Sequence, residues 1–85
     1  MLIHLGKDVC VHFSDIIGAF DLDNASISKH TRSFLADAQK NNLVFNVSES
    51  LPRCFVVCSG ESSIKVYITH ISSETIKKRA ARGFL

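Results

Sequence analysis

Cys54-Phe55-Val56-Val57-Cys58, then Ser59-Gly60-Glu61-Ser62, then Ile64-Lys65-Val66-Tyr67-Ile68-Thr69 is the stretch on which the fold turns. Its first five residues are apolar at every position, so both faces of the segment must be buried, the mark of a central strand. The serine and glycine cluster breaks the run, and the β-branched and aromatic residues after it form a second strand. Joined by so short a turn, the two predict an antiparallel hairpin.

Reading outward toward the N-terminus, Ser48-Glu49-Ser50-Leu51-Pro52 is a turn or loop, because Pro52 cannot donate to a ladder and holds Leu51 extended. Leu43-Val44-Phe45-Asn46-Val47 before it is a strand. Earlier still, Ile27, Thr31, Phe34, Leu35 and Ala38 recur at spacings of three and four, the stripe of an amphipathic helix. Asp23-Asn24-Ala25-Ser26 supply its turn or cap, and Asn41-Asn42 end it, since Asn tolerates the left-handed backbone of a helix C-terminus. Lys29, Arg32, Asp37 and Lys40 make a solvated opposite face.

At the start of the chain, Leu2 to Leu5 and Val9 to Phe13 read as two strands around a Gly6-Lys7-Asp8 turn. Ile16-Ile17-Gly18-Ala19-Phe20-Asp21-Leu22 is read as a strand, Gly18 weighing against a helix more than Ala19 weighs against a sheet. Downstream, Ser72 or Ser73 caps a last helix with Glu74 in its first turn and Lys77, Lys78, Arg79 and Arg82 beyond, an order that suits the helix dipole. The reading is α+β: one small domain over residues 1–85, a mainly antiparallel sheet of five to six strands, and two helices, the basic C-terminal one starting at about residue 72.

Eighty-five residues exclude a two-domain enzyme, and 46% apolar residues exclude a disordered tail. So small a domain buries about 60% of its unfolded surface, so its apolar excess predicts self-association into a symmetric oligomer or ring. No window nears the roughly 18 apolar residues of a membrane span. The opening Met1-Leu2-Ile3-His4-Leu5 lacks the basic start of a signal peptide, and a cytoplasmic location is expected. Cys10, Cys54 and Cys58 are read as reduced thiols packed as small hydrophobes. On a strand, Cys54 and Cys58 would stand about 13 Å apart, too far for a disulfide or one zinc ion.

His4, His12, His30 and His70 have no metal or acid–base spacing, although His4 and His12 could meet across the first hairpin if its register allowed. Gly6, Gly18, Gly60 and Gly83 are isolated, so no phosphate loop is present, and neither Ser14-Asp15 nor Ser72-Ser73-Glu74 is a nucleophile elbow. No enzyme activity, metal, cofactor or small-molecule substrate is therefore expected.

Charge is the remaining signal. Ten Lys and Arg against eight Asp and Glu give a net charge of +2, but the first 75 residues hold six of the bases and all eight acids. The other four bases, Lys77, Lys78, Arg79 and Arg82, follow without an acid and can neutralise DNA phosphates, an effect multiplied by repetition in an oligomer. Lys7 at the hairpin turn and Arg53 at a loop-to-strand junction are further candidate phosphate contacts.

Four segments, taken in order, carry a family resemblance: Ile3-His4-Leu5-Gly6-Lys7-Asp8; Ile16 through Leu22; Leu51-Pro52-Arg53-Cys54-Phe55-Val56-Val57; and Ile71-Ser72-Ser73-Glu74-Thr75-Ile76-Lys77-Lys78-Arg79. Together they resemble the RemB (YaaB) branch of the bacterial RemA/RemB extracellular matrix regulator family. The resemblance implies a small cytoplasmic regulator of biofilm matrix genes in a Gram-positive bacterium. The RemA branch implies DNA binding by a ring; its loop before the central strand is rich in arginine, whereas Ser50-Leu51-Pro52-Arg53 keeps one. The expected function is a homo-oligomeric regulator contacting DNA through phosphates at Lys7, Arg53, Lys77, Lys78, Arg79 and Arg82. A structural or adaptor oligomer acting through protein partners is the alternative.

Overall fold

The computed structural model describes residues 1–22, 28–48 and 50–82, the last by its backbone. The turn or cap read at residues 23–26, Ile27 of the helical stripe and Glu49 of the loop lie outside the described residues. The elements are β1 (Leu2–Gly6), β2 (Val9–His12), a 3-10 turn (Phe13–Asp15), β3 (Ile16–Asp21), α1 (Lys29–Lys40), β4 (Val44–Asn46), β5 (Cys54–Ser59), β6 (Ile64–Thr69) and α2 (Ser73–Arg82). The α+β class, the two helices and the mostly antiparallel strands are those read from the sequence, and Ile16–Asp21 is a strand. The strands divide between two sheets: β1 and β2 form a separate hairpin, and the other four run in the order β3-β5-β6-β4, with β4 parallel to β6.

The all-apolar strand is central as expected. β5 lies between β3 and β6, and Cys54, Phe55, Val56, Val57 and Cys58 are all buried. Because a strand alternates its side chains, these residues serve two cores. Cys54, Val56 and Cys58 pack with Ile3, Leu5, Val11, Val47 and Ile76, from the hairpin, the loop and α2. Phe55 and Val57 pack with Val66 and Ala38, with Leu35 of α1 partly buried beside them. The domain is thus layered: α1, the four-stranded sheet, then the hairpin together with α2.

Helix ends follow local chemistry. Asn42 takes a φ of 59°, its N–H donates to the Gln39 carbonyl, and the Leu43 N–H donates to the Ala38 carbonyl, so α1 closes in a Schellman motif. At the start of α2 the Thr75 N–H donates to Ser72 Oγ (3.2 Å), which makes Ser72 the cap. Ser73 Oγ instead donates to Asp21 Oδ1 (2.7 Å), pinning the helix start to the end of β3.

Candidate nucleic-acid interface

One end of the molecule is built where the first hairpin turns. Gly6 has a φ of +139°, and a Cβ there would stand 3.0 Å from the Val47 carbonyl oxygen, so this close approach needs glycine. Lys7 follows at φ 45° with its side chain exposed, and His4 Nε2–H donates to the Lys7 carbonyl (2.6 Å), closing the turn from one side. Thr69, fully buried, donates its hydroxyl to the Leu5 carbonyl and accepts from the Ile71 N–H (3.1 Å), which ties the hairpin to the end of β6.

Arg53 is placed by a different route. Its N–H donates to the Thr69 carbonyl (2.9 Å) and its carbonyl accepts from the Leu22 N–H (3.0 Å), so its backbone is held from both sides while its side chain is exposed. Lys7 and Arg53, 46 positions apart in sequence, thus lie on segments joined through the Leu5–Thr69–Arg53 chain of contacts. His70 is exposed beside Gly6.

The basic residues of α2 do not act as one group. Lys77 and Lys78 are exposed, and Lys78 Nζ lies 3.8 Å from Glu74 Oε1, a solvated pair one helical turn apart. Arg79 is half-buried and turns inward: its Nη1 donates to the His4 carbonyl (2.8 Å), so it docks the helix on β1. Arg82 ends the helix.

Histidine and thiol positions are resolved by the register. His4 stands opposite Cys10 and His12 opposite Leu2, so the hairpin does not pair the two histidines. His12, Asp15 and Cys10 line a cleft of 160 Å³ that His4 does not share. Among the described residues no group of three His, Cys, Asp or Glu side chains is placed to hold a metal ion. Burial pushes the Cys54 thiol up to about 11, with Asp21 adding to it; burial and Asp15 do the same for Cys58, also about 11, against a smaller opposing effect of Lys65. Both are neutral, packed thiols, while Cys10 is exposed.

Exposed large apolar side chains include Met1, Leu2, Phe45 and Leu51, and three others gather at a groove that periodicity alone did not give. Ile17 and Phe20 of β3 and Phe34 of α1 are 62%, 44% and 36% exposed, and with His30 and Thr31 they border a shallow groove of 310 Å³ floored by Phe55 and Val57. The signal that could have found it is β3 itself, a strand with no basic residue and an acid only at its end.

Comparison with known proteins places the chain. No protein-family model matches it. Over 80 residues, covering 94% of this chain and 90% of the relative, it is 39% identical to the extracellular matrix regulatory protein B of Bacillus subtilis (strain 168). No helix among the described residues is long and apolar enough to cross a membrane.

Proposed function

The chain belongs to the extracellular matrix regulatory protein B family, and from this premise we propose that it is a cytoplasmic, homo-oligomeric regulator of matrix gene expression that binds DNA mainly through phosphates. The observation that carries the regulatory role is likeness to a matrix regulator along nearly the whole chain. Phosphate contact is supported by the exposed Lys7 and Arg53 and by the exposed Lys77 and Lys78 on α2. Oligomerisation multiplies these few cations, because each copy adds the same set and phosphate binding strengthens with each neutralised charge. Shape and backbone would then guide recognition more than base edges.

A shift assay on DNA from its own promoter region, run at two salt concentrations, tests this. Binding should weaken steeply with salt, and replacing Arg53, Lys77 and Lys78 with alanine should lower the slope of log affinity against log salt by about 0.9 for each phosphate that is no longer neutralised. Absence of binding at low salt with the oligomer intact would falsify the DNA reading. A second reading, an adaptor oligomer working through protein partners, is favoured by the inward commitment of Arg79 to the His4 carbonyl. A pull-down that recovers a stable partner without nucleic acid decides for it.

A further inference from the structure

The β3 edge of the sheet lacks the charge and proline that keep many edge strands from pairing, and its one protective irregularity is a bulge. Among the described residues no strand lies beyond β3, which stands at one end of the order β3-β5-β6-β4. The opposite edge, β4, spans only three residues, and shortness is itself a protection. β3 spans six, with no lysine, arginine or proline, and its one acid, Asp21, accepts from Ser73 Oγ. The register shifts between Ile16 and Gly18, so Ile17 is the extra residue of a bulge. The bulge breaks the ladder at Ile17, so a strand pairing here would run along Gly18 to Asp21, and it turns out an isoleucine that is 62% exposed.

An aromatic surface continues from it. A Cβ on Gly18 would lie 2.7 Å from the Phe20 ring, so glycine lets that ring fold back over the strand. There it stacks on Phe55 with centroids 5.2 Å apart and planes 26° from parallel. Phe34 of α1 faces it across the groove.

We propose that this edge is the contact between copies of the chain: β3 of one copy lies antiparallel to β3 of a second about a two-fold axis, and the two grooves close on each other. The proposal deepens the oligomeric part of the proposed function and rests on it. Whatever covers this surface must offer an unpaired strand edge with apolar side chains beside it. The surface itself offers both, and antiparallel pairing about a two-fold axis sets identical edges against each other. The area comes near what a contact needs. At about 200 Å² for a fully exposed large side chain, Ile17, Phe20 and Phe34 leave roughly 280 Å² per copy. With apolar atoms making up about 60% of an interface, two copies would bury roughly 950 Å², just under the lower bound of about 1,000 Å² for a specific contact. The main-chain ladder adds the hydrogen bonds that so small an apolar area needs.

Native mass, circular dichroism and amide hydrogen exchange test the contact on the full chain and on two variants, Ile17→Lys with Phe20→Lys, and Phe34→Lys alone, the latter outside the strand. The expected result is an oligomer whose β3 amides are protected, and folded variants of lower mass in which that protection falls at least tenfold. Unchanged mass in a folded variant overturns the contact, as does fast β3 exchange within the intact oligomer. A monomeric wild-type chain at tens of micromolar also overturns it, including a monomer whose β3 edge is taken by a different protein. DNA binding is scored separately by the salt-dependent shift, so loss of DNA binding with β3 still protected counts against the DNA reading and leaves the contact standing.

Discussion

The two faces of β5 begin alike and end differently. Cys54, Val56 and Cys58 on one face and Phe55 and Val57 on the other are all buried, yet the first face is covered by a hairpin and a helix and the second by α1 alone. The closed face is tied at several points: Thr69 to Leu5, Arg79 to His4, and Ser73 to Asp21. Across from it, α1 buries Ala38 and half-buries Leu35, while Phe34 and Phe20 stay partly and Ile17 mostly in water. A strand apolar on both sides thus says that two layers exist, and the closure of each layer depends on how many elements reach it. The closed face holds the domain together, and the open one is the face on which the proposed contact between copies rests.

The strongest test of that contrast is to cut one side chain from each face. Leu5→Ala, at a position with no exposure, should cost about 3 kcal/mol in urea denaturation, whereas Phe34→Ala should cost about 1 kcal/mol or less in the monomer. Equal losses would erase the distinction.

Alkaline pH probes the closed face next. The buried thiols of Cys54 and Cys58 ionise near 11 in the fold against 9.0 when unperturbed, so the unfolded chain loses its protons first. Stability is then fully present below about pH 9 and falls as pH rises toward 11, by on the order of 2 kcal/mol per thiol. Denaturation curves at pH 8 and 10.5 measure it. A thiol reagent at pH 8 should modify Cys10 well before the other two, and uniform reactivity would mean that the closed face is open.

Thr69→Val removes the hydroxyl that donates to the Leu5 carbonyl and accepts from the Ile71 N–H, leaving two backbone groups to find other partners. A loss of about 2 kcal/mol is expected, read by thermal unfolding, and a neutral result would show that water replaces the hydroxyl there. The smallest effects separate the bases of α2. Arg79→Ala should destabilise by about 1 kcal/mol because it removes the hydrogen bond to His4, while Lys77→Ala should stay within about 0.5 kcal/mol and act on DNA affinity instead. If Lys77 mattered to stability as much as Arg79, the division of α2 into a docking and a solvent side would fail.

Much of this architecture was legible residue by residue. The unbroken apolar run at Cys54 to Cys58 announced a central strand, Pro52 placed the loop before it, and Asn41-Asn42 marked the end of α1 where Asn42 does adopt positive φ. Family membership was legible as well, because the chemistry of the turn at Gly6-Lys7-Asp8 and of the Ser72 cap is carried by local residues in fixed order. The separation of the hairpin from the larger sheet was not, since strand patterning reports which faces are apolar and says nothing of which edges pair. Nor was the inward turn of Arg79, whose partner lies 75 positions away.

The sequence by itself determined the element types, the two-sided burial of β5 and the concentration of four bases after residue 76, because propensity, side-chain alternation and charge are properties of neighbouring residues. Only the tertiary structure decided that the segments of Lys7 and Arg53 are joined through Thr69, that Arg79 serves the fold, and that Ile17, Phe20 and Phe34 border one groove. These depend on packing between segments far apart in the chain, where burial and hydrogen-bond geometry, not local preference, select the arrangement.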